Sequence, residues 1–544
     1  MRLPLTHKQK EWVEKTLAGM SLDEKLGQLL CPWIGGLSDE KLKRLFDEVP
    51  LGSVFFADWN LTQIRRSARL IGKLGRIPAL IAADMDNGTK SGTLFPSALA
   101  CAAANKPRLM RERGRITGRE IRSMGIHWSF APVADLLLNP QNPELNTRSW
   151  GNRAEAVLAN LVPLIRGMQE DSRIAATAKH FPGIGADDRD QHLCTAINPL
   201  GRREWMESYG RVWRGAIEAG VMSVMTGHIA LPHFQNKASD PWSALPATLS
   251  PELQRDLLRG ELGFEGVIVS DANVMVGIAS RVSADEMVVR NILSGGDVFL
   301  FGDPRQEFGR LKKAVSERRL SEDRVVESVR RVLEMKARLG LHEGRTEPEP
   351  TPAERRKGAA VARELAERSI TILRRDASLP LRLKRGASVL TVTVKNKFPR
   401  EPHRCPPLDI VDRELSRRGF KVRRLETPTH KRLMRELERC DAVFVNLQQP
   451  MHSVIGTTRL VNHMAMVFWE GWWVGRKNIV FTSFGSAFHL YEFPHWPNMV
   501  LAYDAGEHAQ RAAVEVWLGE RRAAGTLHAA MPGDAGPCIN VREE

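Results

Sequence analysis

From residue 1 to about 345 the chain repeats one pattern: a short apolar run ends on a polar residue or a glycine, and a stretch of helical periodicity follows. Eight such runs are legible: LLCPWI (29–34), GSVFFA (52–57), PALIAAD (78–84), HWSFAPVAD (127–135), IAATAKHF (174–181), VMSVMTGHI (221–229), GVIVSD (266–271) and DVFLFG (297–302). Helical stretches between them include 107–124, 153–170 and 250–260. The runs are almost continuously apolar, as strands buried on both faces of a parallel sheet must be. Eight alternating units over roughly 300 residues predict a TIM-like (β/α)8 barrel.

The stretch HEGRTEPEPTPAERRKG (342–358) is rich in proline and charge, has no apolar periodicity and predicts an extended linker. Next, AAVARELAERSITILRR predicts an amphipathic helix. SVLTVTV, KVRRLE, DAVFVNL, NIVFTSFG and NMVLAYDAG then alternate with helical stretches. The expected organisation is a barrel domain over 1–345, a linker over 346–360, and an αβα sandwich with a mostly parallel sheet over 361–544. A chain of 544 residues is too long for one ordinary core, which agrees with two large domains. The first turn of the second sheet has no GxGxxG, so nothing points to a dinucleotide.

Barrel enzymes place reactive groups at the carboxyl ends of their strands. Those ends carry Asp84, Asp135, Lys179 with His180, His228 and Asp271. Charged or imidazole groups at five of eight strand ends favour an enzyme with paired acids and a polar, sugar-like or phosphorylated substrate over a binding scaffold. A carboxylate such as Asp271 after a buried strand is unfavourable without a task or a cation. Capping of the next helix by Ser270 or Asp271 is an equally good reading of the spacing alone.

The loop AKHFPGIGADDRDQHLC (178–194) concentrates this chemistry. Gly183 and Gly185 permit a sharp turn. Asp190 and His192 are two residues apart, so a carboxylate can orient an imidazole that exchanges protons near neutral pH. A local hydrogen bond on a surface loop is the competing reading.

The bulk numbers narrow the class. A hydrophobic fraction of 42% and a charged fraction of 26% are those of a soluble globular chain. No apolar run reaches the roughly 18 residues needed to span a membrane, so no membrane insertion is expected. The net charge of +15 invites an anionic partner, but the arginines are spread along helices without interleaved aromatics, so no nucleic acid is expected. The six cysteines have no metal-like spacing, and neither a metal nor a cofactor is implied. The start lacks a secretory h-region, and a cytoplasmic location is expected.

The motifs together resemble glycoside hydrolase family 3, and within it the two-domain β-N-acetylglucosaminidases. KHFPGIGADDRDQH resembles that family's Lys-His-Phe-Pro-Gly-x-Gly…Asp-Ser/Thr-His signature. LLRGELGFEGVIVSDANVM resembles its nucleophile segment, and WSFAPVADLLLNPQNPELNTRSWG its Phe-Ala-Pro-Val-Ala-Asp…Arg-Ser-Phe-Gly stretch. SLDEKLGQLL, LPATLSPELQRDLL, AERSITILRRDASLPL, SFGSAFHL and GTLHAAMPG extend the similarity through nearly the whole chain. The resemblance implies Asp271 as nucleophile, His192 as general acid and base, and Asp190 as its partner. It implies sugar contacts for Asp84, Arg148, Lys179 and His180, and a further one for His228 facing the mouth. The implied activity is a retaining exo-β-N-acetylglucosaminidase acting on cell-wall or chitin fragments. The alternatives are a glycoside phosphorylase, a β-glucosidase and a silent sugar-binding relative; a neutral or cationic histidine does not repel phosphate. An oligomer is compatible with the aromatic-rich stretch 466–475.

The sequence departs from the family pattern at three points. Ile184 stands where many relatives have histidine. Gln191 replaces serine or threonine inside the dyad. DMDNGTKSG (84–92) lacks the arginine of the usual Asp-x-Glu-Gly-Gly-Arg run, with Lys90 as a candidate substitute.

Overall fold

A computed structural model describes residues 4–56, 60–395, 405–449, 457–469, 473–474, 476 and 478–531. Cys538, the end of GTLHAAMPG and part of 466–475 lie outside them. The chain divides into two compact units. The first comprises residues 1–94, 108–136 and 157–359, and the second 95–107, 137–156 and 360–544.

The first unit holds eight parallel strands at the expected places. They are β1 (Leu30–Cys31), β2 (Ser53–Phe55), β3 (Leu80–Ala83), β4 (Trp128–Ser129), β5 (Ala175–Phe181), β6 (Ser223–Thr226), β7 (Val267–Ser270) and β8 (Phe299–Leu300). β2 to β7 form one parallel sheet in sequence order, and β1 pairs with β8. Bridges Trp33–Phe55 and Val269–Val298 join that pair to both ends of the six, so parallel pairing runs round all eight. The core includes Phe55, Leu80, Trp128, Met225, Val267 and Leu300, each less than a tenth exposed. Strands this short on a ring leave little room for polar side chains except at their ends. Helices occupy Pro107–Ser123 and Ala154–Met168. Glu252–Glu261 is a π-helix, wider than the α-helix predicted over 250–260, with Leu262 N–H bonded to Leu257 O at 2.9 Å.

The second unit is built on a six-stranded sheet of β9 (Thr371–Arg374), β10 (Ser388–Lys395), β11 (Lys421–Glu426), β12 (Ala442–Gln448), β13 (Ile479–Ser483) and β14 (Met499–Leu501), in the order β9-β14-β13-β12-β10-β11. All neighbours are parallel except β9 and β14. β9 is a correction: the sequence reading ran a helix through it. The helix stops at Ser369, where β-branched Ile370, Thr371 and Ile372 favour a strand. The helix also begins earlier than expected, at Pro352 inside the proposed linker. Thr351 and Glu354 form a reciprocal capping box, with Glu354 N donating to Thr351 Oγ1 at 3.2 Å and Thr351 N donating to Glu354 Oε2 at 2.7 Å.

Residues 137–156 pack within this unit. Asn146 Nδ2 donates to Ser486 Oγ at 3.0 Å, and Asn152 N to His528 O at 2.9 Å. Gly151 has φ +141°, and a Cβ there would meet His528 O at 2.4 Å, so only glycine fits. Of the aromatic stretch 466–475, Trp469 is exposed and Trp473 buried.

Candidate active site

The first unit gathers its titratable side chains at the carboxyl ends of β3 to β7. Asp84 follows β3, Asp135 lies beyond β4, Lys179 and His180 close β5, His228 follows β6 and Asp271 follows β7.

Lys179 is buried, with Nζ 2.9 Å from Asp84 Oδ1 and 3.3 Å from Asp86 Oδ1. Two carboxylates compensate its charge, and Asp84 stays 55% exposed, open to a ligand. Arg113 holds the loop behind them, its Nη2 donating to Asp86 O at 2.6 Å. It is the guanidinium this loop uses, while Lys90 is exposed to solvent.

His180 Nδ1 lies 2.8 Å from Asp135 Oδ2, which also accepts from His180 N at 3.0 Å. Asp135 Oδ1 accepts from Ile184 N at 2.8 Å. One fully buried carboxylate therefore fixes both the ring and the turn after it. Its bond to Nδ1 leaves Nε2 as the edge that can meet a sugar hydroxyl. Ile184 contributes its backbone here, and its side chain is buried.

His192 Nδ1 lies 2.6 Å from Asp190 Oδ1, and the same oxygen accepts His192 N at 2.8 Å. Asp190 is buried, whereas the His192 side chain is 30% exposed. With Nδ1 committed to the carboxylate, Nε2 is the nitrogen that carries a transferable proton. Gln191 turns the opposite way: it is buried, and its Oε1 accepts His228 N at 2.8 Å. The residue that departs from the family pattern is thus an anchor. Val276 N donates to His192 O at 3.2 Å, and Thr195 Oγ1 to Gly277 O at 2.7 Å.

Gly183 has φ +127°, and a Cβ there would lie 2.3 Å from the Tyr209 ring; its role is close packing. The dyad loop is tied down on the 276–277 segment, a few residues past Asp271.

Asp271 is no helix cap. The next helix begins at Val276, and Asp271 Oδ1 instead accepts the adjacent Ala272 N at 2.7 Å. Burial pushes its carboxyl up, but the imidazoles of His180, His228 and His192, with the Ala272 N–H, more than offset this and hold it below the usual carboxylate range. An ionised carboxylate at neutral pH follows.

His228 departs from its expected role as a sugar contact. It is fully buried, with Nδ1 2.9 Å from Thr248 Oγ1 and Nε2 3.0 Å from Ala272 O. Both ring nitrogens are spent on the protein. Burial, against the pull of Asp271, lowers its pKa, and Nε2 donates to the carbonyl beside Asp271. It positions the nucleophile's backbone. Arg148 belongs to the second unit, ending a 3-10 helix with Nη1 donating to Glu144 O at 3.2 Å. Sequence reasoning missed the supporting roles of Asp135, Asp86, Arg113 and Gln191. Only Asp135 had a signal, its position at a strand end.

Residues 21–335 match the Glycosyl hydrolase family 3 N terminal domain. The chain belongs to glycosyl hydrolase family 3. Among similar proteins is a β-N-acetylglucosaminidase/β-glucosidase of Cellulomonas fimi, 37% identical over 402 residues, covering 71% of this chain and 70% of that one. A family 3 β-N-acetylglucosaminidase from Paenibacillus sp. str. FPU-7 superposes with a TM-score of 0.82 at 26% identity, covering 94% of this chain and 99% of that one. The β-glucoside phosphorylase BglX bound to 2FGlc superposes at 0.87 with 28% identity, covering 97% of each chain. The family and the two-domain fold establish a glycoside hydrolase scaffold.

Proposed function

We propose that the chain is a retaining exo-β-N-acetylglucosaminidase that removes terminal β-linked GlcNAc from cell-wall or chitin-derived oligosaccharides. The observation that carries this reading is the Asp190–His192 pair at 2.6 Å, on a loop anchored beside a carboxylate held ionised by its imidazole neighbours. The likeness to the Cellulomonas fimi and Paenibacillus proteins supports the sugar assignment.

In this mechanism Asp271 attacks the anomeric carbon while His192 Nε2 protonates the departing oxygen. A covalent glycosyl-enzyme forms and the aglycone leaves. Neutral His192 then takes a proton from water, which displaces Asp271. Asp190 fixes the imidazole tautomer and stabilises its charged form. Asp84, Lys179 and His180 hold the hydroxyls of the terminal sugar and orient the ring. A cytoplasmic location belongs to the same proposal.

A second reading, phosphorolysis, is favoured by the imidazole in place of a second carboxylate and by the likeness to the β-glucoside phosphorylase. A panel of aryl β-glycosides (GlcNAc, GalNAc, Glc, Xyl), run with and without phosphate, separates the readings. Free GlcNAc as the product in both buffers is expected. A sugar 1-phosphate in the phosphate arm assigns phosphorolysis, and preference for glucoside overturns the sugar assignment.

A further inference from the structure

A cavity of about 590 Å³ opens in the barrel unit, on the side away from Asp271. Its walls are helix Leu61–Ile71 and the turn after it, the chain entering β3 and β4, and residues 341–349. These are the amino ends of the strands, where barrels place packing and not catalysis. The volume is that of a small-molecule site.

The lining is unbalanced in charge. It contains Arg65, Arg69, Lys73, Arg122 and Arg345 against Glu347 and Glu349. Both acids are already engaged. Glu349 pairs with Arg65 at 2.5 Å and Arg355 at 3.3 Å, and Glu347 pairs with Arg119 at 3.1 Å and Arg173 at 3.8 Å. Arg69, Lys73 and Arg345 have no carboxylate partner among the described residues.

Arg122 is buried and spends its donors on the carbonyls of Arg173, Leu339 and Arg345, at 3.2, 2.9 and 2.6 Å. Burial, and secondarily the positive charge of Arg345, lower its pKa to about 10. A buried cation facing a second cation is relieved by an anion between them. His127 adds a neutral donor: its Nδ1 accepts Ile81 N at 3.2 Å, which puts the ring hydrogen on Nε2. Pro78, Ala79, Met124 and Leu341 supply an apolar floor. Cations in the last turn of a helix are ordinary complements of its dipole, which accounts for Arg69 and Lys73 alone. Arg122, His127 and Arg345 come from other elements.

We infer that this cavity binds a small organic phosphate, its anionic group held by Arg69, Lys73 and Arg345 beside the buried charge of Arg122 and its less polar body on the apolar floor of Pro78, Ala79, Met124 and Leu341. Guanidinium groups suit phosphate oxygens, which accept several donors at once. The inference does not depend on which sugar the active site cleaves.

The test is calorimetric titration of the full chain with ADP, pyrophosphate and adenosine as probes. ADP is expected to bind, pyrophosphate less tightly, and adenosine not at all. Arg69→Glu with Lys73→Glu should weaken ADP at least about tenfold, the loss of two charge-assisted contacts. Lys8→Glu with Lys10→Glu, an equal charge change on an exposed helix, should leave it unchanged. Retained aryl-glycosidase turnover verifies that both variants fold. Failure of ADP and pyrophosphate to bind, undiminished binding in the cavity variant, or an equal loss in the control overturns the site. Adenosine binding as tightly as ADP overturns the phosphate assignment, and pyrophosphate binding as tightly as ADP overturns the organic one.

Discussion

Gly277→Ala tests the idea that the dyad is held in place and does not swing. A Cβ at Gly277 would lie 2.4 Å from Gln191 O, 2.9 Å from Cys194 O and 2.9 Å from His228 Cβ. Ordinary contact begins near 3.4 Å, so the 190–194 backbone must retreat by about 1 Å, and a misplacement of that size costs on the order of 100-fold in rate. Gln191 cannot yield alone, because its side chain is bonded to His228 N. The movement therefore falls on Asp190 and His192, which flank it. Gly277 has no left-handed φ and lies in helix Val276–Ala279, so alanine by itself is favourable there by about 1 kcal/mol. The expected result is a fall in kcat/KM of about 100-fold on aryl glycosides with poor leaving groups, where protonation by His192 matters. The fall should be much smaller on dinitrophenyl glycosides, with thermal unfolding little changed. Gly309→Ala, a helical position with nothing within 4 Å, is the control and should keep full activity. Wild-type rates in Gly277→Ala, or equal losses on both leaving groups, would refute a pinned proton donor.

His192→Ala should likewise harm poor leaving groups far more than activated ones, measured as the slope of log kcat/KM against leaving-group pKa; an unchanged slope counts against the proton-transfer role. Asp271→Ala should abolish turnover, and a 2-fluoro sugar that labels any other residue of the wild-type chain would displace it as nucleophile. Lys336 is buried against Gln28 Oε1 at 2.5 Å, and burial lowers its pKa to about 7. Because the unfolded chain binds that proton more tightly, stability is lowest below pH 7 and rises as pH climbs toward the free lysine value. Lys336→Met should therefore stabilise the chain by roughly 5 kcal/mol below pH 7 and lose that advantage by about pH 10, read from denaturant unfolding at several pH values. A constant difference across that range would show that Lys336 is charged throughout.

The sequence alone determined the eight barrel strands, because buried parallel strands must be unbroken apolar runs. It also determined which strand ends carry charge, because an ionisable side chain after such a run has few places to go but the rim. Spacing put Asp190 and His192 within reach of each other, a contact set by two residues of local backbone. The helix start at Pro352 was legible in Thr351 and Glu354 but was masked by the prolines around it. What sequence could not decide are matters of long-range contact. Asp135 serves His180 from 45 residues away, Gln191 serves His228 from 37, and Gly277 makes room for a loop more than 80 residues earlier in the chain. His228 shows the difference most plainly. The family resemblance marked it as a sugar contact, yet only the folded chain brings Thr248 and Ala272 to its two nitrogens and leaves none for a ligand. A strand fixes where a side chain starts, and the neighbours that tertiary packing brings to it fix what its polar atoms are free to do.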